Sequence, residues 1–190
     1  MISYEDYAKY LSKKSFKGRL YKKFWLHKIL SRNLKGKILD IGCGIGNFLE
    51  DNIEAIGVDI NPYTVEICLK KNLNAKLIKQ DKLPFEENSF DSCLLDNVME
   101  HIENPDKLIL EIKRILKKNG ILLIGVPGIK GFLGDNDHKV NYSDNELINK
   151  LAKFGFNLSK RFYAPLPISK LTFILKQHCR YFIFKNESHI

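Results

Sequence analysis

Short apolar runs alternate along the chain with stretches whose apolar positions recur every three or four residues. The runs KILDI (37–41), AIGVD (55–59), AKLIK (75–79), FDSCLLD (90–96) and GILLIGVP (120–127) have the length and composition of buried strands. Helical patterning falls between them, near 46–51, 62–72 and 104–118. Strands that alternate with helices in this way predict a parallel sheet with right-handed crossovers, covered by helices on both faces. The predicted class is α/β, a doubly wound, mostly parallel sheet.

Boundary residues support these elements. The helix from Asn104 has Pro105 near its first turn and ends in Lys117, Lys118, Asn119 and Gly120, cations and a stop at the negative pole. Ser143 followed by Glu146 reads as a capping box that opens SDNELINKLAKFGF, with Gly155 as terminator and FNLSKRFYA as a further strand. The tail allows a helix over LPISKLTFILK and a last, antiparallel strand over CRYFIFKN. Its Phe173, Tyr181, Phe182 and Phe184 serve either the core or a dimer contact, with the core favoured.

With 190 residues, 44% of them hydrophobic, the chain can bury one core, so a single domain is expected over 1–190. Within it, 1–36 reads as a basic N-terminal segment, 37–127 as a ligand-binding core and 128–190 as a loop followed by completion of the sheet. The N-terminus lacks an apolar leader, and runs such as Ile121–Val126 are too short to cross a bilayer, which leads to the expectation of a cytoplasmic protein.

The net charge of +9 is unevenly placed. Residues 1–37 carry 11 Lys or Arg against Glu5 and Asp6, whereas the remaining residues balance at 20 against 20. In this basic stretch Leu20, Phe24, Trp25, Ile29 and Leu30 recur at helical spacing, the pattern of a basic amphipathic helix. Such a helix either packs on the core with its lysines solvated or meets an anionic acceptor, a membrane surface or nucleic acid. Cys43, Cys68, Cys93 and Cys179 form no C-x-x-C pair and no cluster with histidine, so reduced thiols and no bound metal are expected. Only Cys43, inside a glycine loop, is placed to react near a ligand.

That loop lies in ILDIGCGIGNFLE, where glycines at 42, 44 and 46 bring backbone close to a ligand after the first strand. The spacing departs from the dinucleotide fingerprint, since Asn47 stands where its last glycine belongs. Asp40, at the strand end, repels a pyrophosphate and suits a cationic ligand. Asp59, Asp81, Asp96 and Asn97 fall at or just after successive strand ends, along the edge where open parallel sheets bind ligands. Asp59 suits a ribose diol or caps a helix; Asp81 suits an exocyclic adenine amine or forms a turn. Glu100 reads as structural, and His101 as structural or as a base.

ILDIGCGIGNFLE, GVDINP, KQDKLPFEENSFDSCLLDNVMEHIENP and LINKLAKFGF, taken in order over 37–157, resemble the class I S-adenosylmethionine-dependent methyltransferases, in particular the small-molecule, type 11 branch. The resemblance implies a seven-stranded, Rossmann-like fold with S-adenosylmethionine as cofactor. It implies that Asp40, Gly42, Cys43 and Gly44 line the methionine half, that Asp59 holds the ribose with Ile60 against the adenine, and that Asp81 and the Lys82 backbone meet the adenine edge. Asn97 then faces the transferred methyl, and GIKGFLGDNDHKVNYSDNEL resembles the variable acceptor loop, with His138 as base candidate beside Tyr142. The expected acceptor is a small molecule, anionic or lipid-linked. Enzymes of this class that methylate base or amide nitrogens carry Pro-Pro and an aromatic after the fourth strand, where this chain has Val98 and Met99; nucleic acid is therefore disfavoured. An RNA methyltransferase and a cofactor-binding or membrane-surface module without turnover stand as the alternatives.

Overall fold

A computed structural model describes residues 3–13, 16–80, 82–166, 168, 170 and 178–187. Seven strands, β1 (Ile38–Ile41), β2 (Ile56–Asp59), β3 (Ala75–Leu77), β4 (Phe90–Asp96), β5 (Leu116–Pro127), β6 (Phe156–Ala164) and β7 (Cys179–Asn186), form one sheet in the order β3-β2-β1-β4-β5-β7-β6. All pairings are parallel except those of β7, which is inserted antiparallel between β5 and β6. The expected doubly wound sheet and its antiparallel last strand are both present.

The central strands read as apolar runs because both of their faces are covered, whereas the edge strands β3 and β6 are largely exposed. Along β4, Cys93 and Leu95 face one core and Leu94 the other; along β7, Phe182 and Phe184 alternate with Tyr181 and Ile183 in the same way. On the first face lie α6 (Asp106–Ile115), whose Leu108, Ile109, Ile112 and Ile115 form an apolar stripe, and α8 (Asp144–Ala152), which contributes Leu147 and Leu151. The second face is covered by Leu26, Leu30 and Leu34 together with Phe48 and Leu49 of α4 (Asn47–Asp51) and Val65 and Cys68 of α5 (Pro62–Lys70). The tail aromatics Tyr181, Phe182 and Phe184 are thus core residues; Phe173 and most of LPISKLTFILK lie outside the described residues.

Two elements differ from their sequence reading. Helix α6 stops at Ile115, and Lys117 to Gly120, expected to end it, instead open β5. Leu116 is buried beside Phe90, and the register then shifts at a bulge where Asn119 is left-handed. Burial of Leu116 and pairing with β4 outweigh the helical propensity of the lysines.

The basic segment is also not one helix. It comprises α1 (Tyr4–Ser12), α2 (Phe16–Tyr21), a π-helical turn at Lys22–Leu26 and α3 (His27–Arg32). The wider π turn adds a residue per turn and rotates the faces. The buried row is therefore Leu26, Leu30 and Leu34, while Leu20, Phe24 and Trp25 are exposed.

Candidate cofactor crevice and acceptor loop

The carboxyl edge of the sheet brings together most of the expected residues. The chain leaves β1 through Gly42, whose φ of 73° belongs to the left-handed region, and a Cβ there would lie 2.5 Å from Val98. Gly42 N–H and Cys43 N–H both donate to the Val58 carbonyl, at 2.8 and 3.1 Å, so the loop folds back over β2. Across it lies α1: Leu11 would sit 3.4 Å from a Cβ on Gly44, and the Asn61 side chain donates to the Tyr4 carbonyl at 2.9 Å.

Asp59 ties this loop to the start of α5. One carboxylate oxygen accepts from Gly44 N–H and the other from Asn61 N–H, each at 2.8 Å. Burial raises the Asp59 pKa, and these hydrogen bonds offset part of the rise. The Thr64 side chain and Ile60 N–H bond the same carboxylate, so a diol would have to share these acceptor positions or displace one of the donors. Asn61 caps α5 with Pro62 at its first position, and Asp59 in turn holds Asn61 N–H. Ile60 is exposed beside this carboxylate, and Lys82 is exposed in the turn after β3; Asp81 lies outside the described residues.

Asp40 is buried, and burial together with the neighbouring Asp96 and Asp59 charges holds its carboxyl well above the usual carboxylate range. Asp96 accepts from Tyr181 Oη at 3.0 Å and from Asn97 Nδ2 at 2.8 Å, while Lys22, from the π-helical turn, approaches it to 3.5 Å. Asp96 and its field raise the Lys22 pKa. Three carboxylates, Asp40, Asp59 and Asp96, gather beside one glycine loop, and Lys22 is a cation that answers them. Neither Lys22 nor Tyr7 of α1 is a candidate from sequence, because only tertiary packing brings the N-terminal helices over this edge. Tyr7 lies beside His101, and burial raises its pKa.

Cys43 is a free, buried thiol, and hydrogen bonding with Cys68 together with burial raises its pKa, which disfavours a reactive thiolate. Tyr142 corrects an expectation: rather than facing the acceptor side, it is 5% exposed within the core of the α6 face, with its pKa raised to about 12 by burial.

The loop after β5 contains α7 (Ile129–Phe132) and closes on the exit of β4. Lys139 and Val140 donate backbone N–H groups to the Glu100 carbonyl at 2.8 and 3.1 Å. This contact sets His138 against His101, with ring centroids 4.8 Å apart, and its Nε2 at 3.8 Å from the Glu100 carboxylate. Glu100 is 1% exposed, neither of its carboxylate oxygens has a hydrogen-bond partner among the described residues, and burial raises its pKa to about 8. Burial, then the neighbouring His138, lowers the pKa of His101.

Residues 39–124 match a protein family described as a methyltransferase domain. A sterol 4-C-methyltransferase of Caenorhabditis elegans is 35% identical over 116 residues, 55% of this chain and 34% of that protein. A tRNA (carboxymethyluridine(34)-5-O)-methyltransferase of Xenopus tropicalis is 30% identical over 146 residues, 70% of this chain and 22% of that protein. The chain spans less than two thirds of the length of the curated relatives it matches first. Among solved structures, a SAM-dependent methyltransferase from Aquifex aeolicus shares the fold with a TM-score of 0.70 at 18% identity, covering 98% of this chain and all of the other. S-adenosylmethionine is the cofactor expected of this fold, and a cluster of carboxylates suits its sulfonium and ammonium charges.

Proposed function

Because residues 39–124 match a methyltransferase domain, we propose that the chain is a class I S-adenosylmethionine-dependent methyltransferase that transfers a methyl group by in-line displacement to a small-molecule or lipid-linked acceptor. The observation that carries this reading is the convergence of Asp40, Asp59 and Asp96 on the glycine loop under α1. Bound there, S-adenosylmethionine supplies a methyl on a positively charged sulfur, a leaving group that needs no further activation. Asp40 and Asp59 bind and orient the donor, with Asp59 toward a diol, Ile60 and Lys82 beside the base, and Asn97 at the reacting end. The chain's remaining task is to place the acceptor and exclude water, which falls to the 128–142 loop and α1. A base, His138 or His101, is needed only when the acceptor carries a proton to be removed.

The sterol-methylating relative agrees with an apolar acceptor, and the exposed Phe24 and Trp25 among Lys23 and Lys28 provide a surface along which a lipid-linked molecule can approach. An RNA acceptor is the second reading, favoured by the tRNA-methylating relative and the basic N-terminal segment. The test begins with thermal unfolding in S-adenosylmethionine, S-adenosylhomocysteine and NAD. A ligand at 100 times its dissociation constant adds about 2.7 kcal/mol of stability, so the first two ligands should raise Tm and NAD should not. A shift with NAD alone would overturn the assignment of the crevice. Labelled donor offered with lipid extract or with RNA then separates the acceptors, and binding without transfer to any acceptor would mean a module without turnover.

A further inference from the structure

We propose that Glu100, His101 and His138 form a binding site for a divalent first-row transition metal ion. One ligand atom from each residue lies within 4.8 Å of the other two. Ligand atoms about 2.1 Å from a tetrahedral ion stand about 3.4 Å apart, so the 3.8 Å between His138 Nε2 and the Glu100 carboxylate closes with a small side-chain movement.

The surroundings treat these groups as ligands. Glu100 is 1% exposed, and both its carboxylate oxygens lack a hydrogen-bond partner among the described residues, an arrangement native proteins seldom leave without an ion or water to satisfy it. His138 Nδ1 lies 2.9 Å from the Phe132 carbonyl, so it carries the proton and leaves the Nε2 lone pair directed at Glu100. His101 Nδ1 lies 3.3 Å from both the carbonyl and the carboxylate of Asp137, which fixes its ring in turn. The histidines are far apart in sequence, and the backbone bonds from Lys139 and Val140 to the Glu100 carbonyl bring them together, so no local motif announces the site.

Two imidazoles and one carboxylate select Zn²⁺, Fe²⁺, Mn²⁺, Co²⁺ or Ni²⁺ over Mg²⁺ and Ca²⁺, which favour oxygen ligands. Three protein ligands leave a position open for water or for an oxygen of another molecule. The site rests on these side chains alone and stands whether or not methyl transfer is established; if the chain holds an ion here, His101 and His138 act as ligands and not as bases.

The experiment uses the full chain, stripped with a chelator and titrated with Co²⁺, whose d–d absorption reports coordination. The expected result is one equivalent bound and displaced by Zn²⁺, with affinity at least tenfold weaker in Glu100→Gln, His138→Ala and the partly exposed His101→Asn. Glu103→Gln, an exposed neighbour paired with Lys139, should bind as the unchanged chain does. Absence of a stoichiometric cobalt spectrum, or unchanged affinity in all three ligand variants, would overturn the site. The thermal shift with S-adenosylmethionine, measured on the same samples, keeps failure of the metal site distinct from failure of the cofactor reading.

Discussion

Asp40 is a buried acid whose ionisation opposes the fold and would be favoured by a cationic ligand. Its folded pKa is raised, so the folded chain holds a proton that the unfolded chain has lost, and stability falls as pH rises from the ordinary carboxylate range toward the raised value. A cationic ligand favours the ionised form and reverses that loss. Asp40→Asn is therefore expected to raise the Tm of the ligand-free protein at neutral pH while weakening S-adenosylmethionine by about 2 kcal/mol, the scale of a hydrogen bond to a charged group. Calorimetry on both proteins checks this; a lower ligand-free Tm together with unchanged affinity would show that Asp40 is only a structural acid. Asp40 and Asp59 were readable from sequence because strand ends in a parallel sheet share one edge. Lys22 and Tyr7 were not, since only tertiary packing carries the N-terminal segment over that edge. The metal-type cluster was missed for the same reason: His138 reaches Glu100 through loop contacts that no spacing rule encodes.

At the scale of elements, apolar periodicity gave the sheet and most helices correctly and misjudged the face of one. The apparent stripe Leu20, Phe24, Trp25 assumed a regular helix, and the π turn at Lys22–Leu26 substitutes the row Leu26, Leu30, Leu34. A fourfold spacing of leucines was present in the sequence and became decisive only once the turn was known. Leu30 is fully buried, so Leu30→Ala should cost about 2–5 kcal/mol, whereas Phe24→Ala, at 59% exposure, should change stability by less than about 0.5 kcal/mol. Denaturant unfolding of the two variants distinguishes the faces, and comparable losses in both would restore the regular helix. The early end of α6 carries the same lesson, since Leu116 follows its partner Phe90 in β4 and not the propensity of the lysines after it.

Across the whole molecule, charge is partitioned as sharply as structure. The body of the chain is neutral, while residues 1–37 carry the net +9, and Leu20, Phe24 and Trp25 are exposed among them. Among the described residues no helix is long and apolar enough to cross a membrane. Each basic residue near an anionic bilayer contributes about 1 kcal/mol, screened over roughly 10 Å at 0.1 M salt. With a lipid-linked acceptor, the protein should sediment with anionic vesicles at low salt, leave them as salt approaches 1 M, and ignore neutral vesicles at every salt concentration. Phe24→Ala combined with Trp25→Ala should weaken that association without shifting the thermal response to S-adenosylmethionine, because these rings are exposed and Asp40, Asp59 and Asp96 are proposed to bind the donor. If the protein stays in the supernatant with anionic vesicles at low salt, the basic segment serves another partner, and the RNA acceptor becomes the stronger reading.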